Sequence, residues 1–137
     1  MQTLPLRLTP GQDLRATLGA VLAEHGVSAA FVLQGIGSLS LAQLRFAGAK
    51  QPTELRCDLE ILTLAGSLSV DGAHLHMTVA DGQGRVLGGH VAAGCIVRTT
   101  AELLLALLPE HRFSREADAF SGFHELAIGP QSRPDGA

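Results

Sequence analysis

Residues 72–91, GAHLHMTVADGQGRVLGGHV, decide how the chain is read. They bring three of its six histidines within seventeen residues and enclose them in the pattern of a β-hairpin. On the first arm Ala73, Leu75, Met77 and Val79 alternate with His74, His76 and Thr78. Alternate side chains of a strand share a face. The apolar set therefore faces a core, and His74 and His76 stand together on the other side, about 7 Å apart at Cα. Segments 73–80 and 85–92 flank Asp81-Gly82-Gln83-Gly84, whose glycines reach positive φ at no steric cost. Where His90 points depends on register. A symmetric even-length loop sets His76 opposite Gly89 and sends His90 into the core. One extra residue, as in a G1 bulge at Gly84, sets His76 opposite His90 and gathers three rings on one face, with facing Cβ atoms about 5 Å apart. The second register keeps a polar ring out of the apolar layer, leaves Leu87 and Val91 among the core residues, and is the one expected here. Gly88 and Gly89 beside His90 permit close approach.

Three neutral imidazoles around one point suit Zn²⁺ at about 2.0–2.1 Å and leave a fourth position open for water, a substrate or a neighbouring chain. The plainer alternative is a solvated sheet face on which the histidines have no common task. Other residue types offer less. GIGS at 35–38 lacks the GxGxxG or GK[ST] context of a phosphate loop and reads as a turn at a strand end. Glu60 sits in an apolar strand, where a lone carboxylate is costly, so it is expected to pair with Arg98 or Arg45, or to accept a proton. Ser38 and Ser67 have no recognisable base, Arg115 and Asp118 read as a surface pair, and His25, His111 and His124 as surface residues.

Working outward, Leu4, Leu6 and Leu8 alternate around Pro5 and Arg7, as in an edge strand. Over 13–24, Leu14, Leu18, Val21 and Leu22 follow helical spacing, with Asp13 as N-cap and Gly26 as stop. Segments 27–34 and 39–46 read as two strands and 48–53 as a loop. In ELRCDLEILTLAGSLSV, residues 54–70, the apolar parity changes, which points to a bulge, with Gly66 as its candidate. CIVRTT, from Cys95, reads as a buried strand. The run TTAELLLALLP is ambiguous: Thr99-x-x-Glu102 matches a capping box and Leu and Ala favour helix, yet no breaker separates it from the strand before. Segment 123–128 reads as a last strand and 129–137 as a loose tail.

At 137 residues with 46% hydrophobic residues, the chain is long enough for one domain with a real core. Mean hydropathy is +0.25 and charged residues make up 17%, low enough to suggest that part of the surface is covered by self-association. A net charge of −3, no Lys/Arg run, and no Trp or Tyr argue against a protein held on nucleic acid by its phosphates. Cys57 and Cys95 form no CxxC and are expected as reduced core residues. With no signal-like start and no apolar run near the roughly 20 residues of a membrane span, the chain reads as soluble and cytoplasmic.

The segments GIGSLS, LEILTLAGSLSVDGAHLHMTVADGQGRVLGGHV, GCIVRTTAEL and FSREADAFSGFHEL, in that order, resemble the PPC (plants and prokaryotes conserved) domain, prokaryotic branch. The resemblance implies an α/β fold of the α+β type: a largely antiparallel sheet, a flanking N-terminal helix, and strand rather than helix over 95–105. It implies a single domain over 1–128, a homotrimer, and a divalent-metal site of His74, His76 and His90. In plants the domain accompanies AT-hooks of core Arg-Gly-Arg-Pro. Here Ser132-Arg133-Pro134 does not match, which leaves DNA association without its usual anchor. The expected function is a stand-alone homotrimeric binding or regulatory module with a His₃ zinc site. The alternatives are a DNA-associated regulator and a metal-dependent hydrolase or lyase.

Overall fold

Asp13 starts the single helix of the described residues, α1 (Leu14–His25), by accepting from the Ala16 N–H at 2.9 Å. Its other oxygen accepts from the Gly94 N–H at 2.7 Å, so one side chain caps the helix and ties it to a distant loop. Gly26, at φ 64°, ends the helix in the left-handed region, and the Val27 N–H reaches back to the Leu22 carbonyl. The buried stripe Leu14, Leu18, Val21 and Leu22 packs on the sheet, as its spacing predicts.

The computed structural model describes residues 1–132, and those residues form two sheets. The larger has seven strands: β1 (Gln2–Leu8), β2 (Ala29–Arg45), β3 (Thr53–Leu55), β4 (Leu59–Ser69), β5 (Gly72–Ala80), β6 (Val86–Val91) and β7 (Ile96–Leu107). Every pairing in it is antiparallel, in the order β1-β7-β2-β4-β5-β6, with β3 on β2. A two-stranded sheet follows, β8 (His111–Ala117) with β9 (His124–Pro130). The expected α+β architecture, edge strand and helix are all present. Among the described residues no helix is long and apolar enough to cross a membrane. Of the expected tail, 129–137, Gly129 and Pro130 belong instead to β9, and 133–137 lie outside the described residues.

The strand β2 departs most from expectation. Segments 27–34 and 39–46 are not separate strands joined by a GIGS turn. Ala29–Arg45 is one strand of 17 residues, roughly 55 Å if straight. It is not straight: its register against β7 shifts at Val32/Gln34, Gly37/Leu39 and Leu39/Leu41. The glycines are there for contact rather than for a turn. A Cβ on Gly37 would lie 2.4 Å from the Thr100 carbonyl oxygen, and one on Gly35 2.4 Å from Leu103 Cδ2. So coiled, β2 pairs with β4 in two stretches between Ala29 and Leu39 and reaches β6 with its end, through Leu44↔Val91 and Arg45↔His90. The path β2-β4-β5-β6 thereby returns to β2, and its enclosed face holds the core of Leu44, Leu64, Leu75, Val79 and Val91.

The ambiguous leucine run is β7, paired on both sides by β1 and β2. Two flanking strands satisfy its backbone and outweigh a helix propensity worth a few tenths of a kcal/mol per residue. The parity change in β4 is a bulge at Leu62, between Ile61 and Thr63, and not at Gly66. Four further expectations are corrected. Glu60 is exposed rather than buried, and Arg98 pairs with Asp58 at 3.2 Å. Arg115 does not pair with Asp118: its guanidinium donates to Ser67 Oγ, and Asp118 accepts from the Phe120 N–H. Cys57 is exposed, although both cysteines are free. Leu87 is 43% exposed, because β6 has no strand beyond its outer part to cover it.

Candidate metal centre

The hairpin turn sets the site. The Asp81 N–H donates to the Arg85 carbonyl, the Gly84 N–H donates to the Asp81 carbonyl, and Gly84 sits at φ 75°. This is a turn closed by a glycine bulge, held further by Asp81 Oδ1, which accepts from the Gln83 and Arg85 N–H groups. Its odd loop pairs Ala80 with Val86 and therefore His76 with His90, the second of the two registers weighed above. Ala73, Leu75, Met77 and Val79 are buried, so His74 and His76 take the opposite face. The glycines beside His90 do admit close approach: a Cβ on Gly89 would lie 2.8 Å from the Arg45 carbonyl oxygen.

The three rings meet. Centroid separations are 4.9 Å for His74–His76, 5.3 Å for His74–His90 and 5.7 Å for His76–His90. One ring nitrogen from each lies within 4.8 Å of the other two. His74 and His90 are half-buried and His76 is exposed. The Nδ1 of His90 is buried with no hydrogen-bond partner, an unpaired position that costs free energy unless something occupies it. The surroundings of His74 and His90 favour the neutral ring. Burial, then the Arg115 guanidinium, lowers the pKa of His74, against a weaker upward pull from Glu125. Burial, then Arg45, pushes His90 down to about 4. Neutral imidazoles with free nitrogen lone pairs are what a divalent metal requires, so the residues present fit such an ion.

Two clefts open on the histidines. One, of about 510 Å³, is bordered by His74 and His90 together with Arg15, Arg45, Arg115 and Glu125. The other, of about 530 Å³, is bordered by His76, His90, Met77 and Phe46. The arginines and Glu125 escape a reading of the sequence because they come from α1, β2, β8 and β9, with no spacing in common. Glu60 lines a different cleft, with Ser38 and Arg98. His25 and His111 stay on the surface, whereas His124, also exposed, borders the first histidine cleft.

Comparison with known proteins places this geometry. The chain is 49% identical over 130 residues to a bifunctional protein GlmU of Synechococcus sp.; the match covers 95% of the chain and 21% of that relative, so the chain spans about a fifth of its length. Among solved structures, a hypothetical protein from Salmonella cholerae-suis superposes with a TM-score of 0.92 at 40% identity, covering 96% of this chain and 95% of the other. A candidate DNA-binding protein from Bacteroides thetaiotaomicron gives 0.81 at 25% identity, with 91% of each chain covered. A metal-containing protein from Archaeoglobus fulgidus gives 0.75 at 27%, covering 93% and 94%. Residues 1–109, from the edge strand through β7, match the model of one family, and with them the closed sheet and its histidine hairpin: the chain belongs to the Plants and Prokaryotes Conserved (PCC) domain family.

Proposed function

We propose that this chain is a homotrimeric binding module that holds a divalent metal, Zn²⁺ first, on His74, His76 and His90. One observation carries the metal reading: three imidazole nitrogens within 4.8 Å of one another, one ring with a buried, unpartnered Nδ1. A metal-containing relative of the same fold supports it. The trimer is supported by an apolar outer face, where Phe31, Leu33, Ile36, Leu62 and Leu104 are all at least 37% exposed. Residues 1–128 are read as one domain, and two free cysteines suit a reducing, cytoplasmic setting. Elemental analysis of untagged protein, purified without added metal, tests the reading. About one divalent ion per chain is expected, and a metal-free protein that also takes up no zinc on titration would overturn it.

A second reading, a metal-dependent hydrolase or lyase, gains from Asp71 and Glu125, which border the cleft beside His74. There a carboxylate is available for proton transfer near a metal's open position. A DNA-associated role is supported by the candidate DNA-binding relative and opposed by the net charge of −3.

A further inference from the structure

We propose that the cleft beside His74 and His90 is an oxyanion site, in which Arg15, Arg45 and Arg115 bind a carboxylate or phosphate group of a small molecule. Each arginine is fixed next to a histidine. Arg45 is the cross-strand partner of His90, where β2 closes on β6. Arg15, from α1, donates Nη1 to the carbonyl of Val91, the residue after His90, at 3.0 Å. Arg115, from β8, donates Nη2 at 2.8 Å to Ser67, the cross-strand partner of His74. All three border the same cleft of about 510 Å³.

Their charge is unspent. Among the described residues the ion pairs use Arg56, Arg85 and Arg98, and none of the three cleft arginines lies within 4 Å of a carboxylate oxygen of those residues. The recorded bonds of their guanidiniums go to neutral oxygens, of Val91, Ala49 and Ser67. Such bonds orient a guanidinium while leaving other N–H donors and the full charge available. Asp71 and Glu125 also border the cleft, and Asp71 Oδ2 is engaged by the Arg115 backbone N–H at 2.8 Å. Three cations against two carboxylates leave the cleft positive in a protein of net charge −3. A concave volume of this size matches a small ligand, whereas a nucleic-acid backbone needs an extended basic track. The exposed ring of Phe123 forms part of the wall and can cover an apolar or planar portion of the ligand. The inference rests on the metal reading for what stands beside the anion, since one oxygen of a ligand held here points toward the histidines. The arginine contacts themselves do not require the ion.

The test is calorimetric titration of the full chain with inorganic phosphate and with malonate, at low ionic strength, on both metal-free and zinc-loaded protein. Saturable binding of at least one anion is expected, with Kd about 1 mM or tighter. Arg15→Gln, Arg45→Gln and Arg115→Gln should each weaken it at least about tenfold, and Arg56→Gln should leave it unchanged. Arg115→Lys, which keeps the charge, should retain more affinity than Arg115→Gln and so separates lost charge from lost packing. Binding of phosphate alone or of malonate alone supports the site and names its oxyacid. Normal zinc uptake with no saturable anion binding would overturn the inference and leave the metal reading intact. Anion binding without zinc uptake would do the reverse. Mixed-sequence duplex binding in place of the small anions, and weakened by the same substitutions, would also overturn it.

Discussion

His76 stands directly across from His90 and one residue from His74 on the same face, and it is one of the three donors of the proposed metal site. His76→Ala should weaken zinc binding by more than about a hundredfold, beyond the effect usual for an outer-shell partner, and His111→Ala should leave it unchanged. Competition with a chromophoric chelator measures both. The fold should survive, since Leu75 and Met77 keep the buried face. His90 also couples the metal-free protein to pH. Its folded pKa is pushed from 6.5 to about 4 by burial and then Arg45, so the unfolded chain binds a proton that the folded chain refuses. The stability contributed by neutral His90 is complete above about pH 6.5 and is lost as pH falls toward 4. Urea unfolding of EDTA-treated protein across that range should show a falling midpoint, with a shallower fall in His90→Asn. The three histidines were legible from HxH and a turn glycine. The arginines were not, because a charge carries no sequence signature of what it will face.

At the scale of elements, the β4–β5 pairing holds the histidine strand in place. Gly66 lies opposite Leu75, and a Cβ there would fall 2.0 Å from the His74 carbonyl oxygen. Backbone cannot retreat from backbone without breaking the ladder. Gly66→Ala should therefore destabilise the protein by about 3 kcal/mol, the upper end of the overpacking range, and weaken zinc binding by displacing His74. Denaturant midpoints and the chelator assay report the two effects. Helix α1 and β5 were readable because their apolar periods, 3.6 and 2, survive intact. Strand β2 is not legible in this way, because glycines within a short apolar pattern signal a turn. Only the neighbouring Thr100 carbonyl shows that they are points of contact.

For the whole molecule, assembly and surface charge make separate predictions. Light scattering should give about three chain masses at micromolar concentration. Ile36→Glu, in the middle of the exposed apolar face of β2, should shift the protein to monomer without loss of secondary structure. A wild-type protein that is cleanly monomeric would refute the trimer. Binding to mixed-sequence duplex DNA at physiological salt should be no tighter than a Kd of about 10⁻⁴–10⁻⁶ M, and a nanomolar, sequence-selective complex would show that the acidic balance is misleading.

Local chemistry determined the hairpin and its contents. The alternation of residues 73–79 and the turn glycine Gly84 make one register better than its neighbour, and that register alone places His76 against His90. Such choices depend on residues a few positions apart, so they can be read in order along the chain. The tertiary structure decided what surrounds the hairpin. The coiling of β2 brings Arg45 beside His90, α1 delivers Arg15 to Val91, and β8 delivers Arg115 to Ser67. Those contacts join residues 45, 76 and 48 positions apart, and the first of them closes only where the long strand β2 bends. Bending is set by the sum of pairings on both sides of β2, a property of the closed sheet and of no single segment.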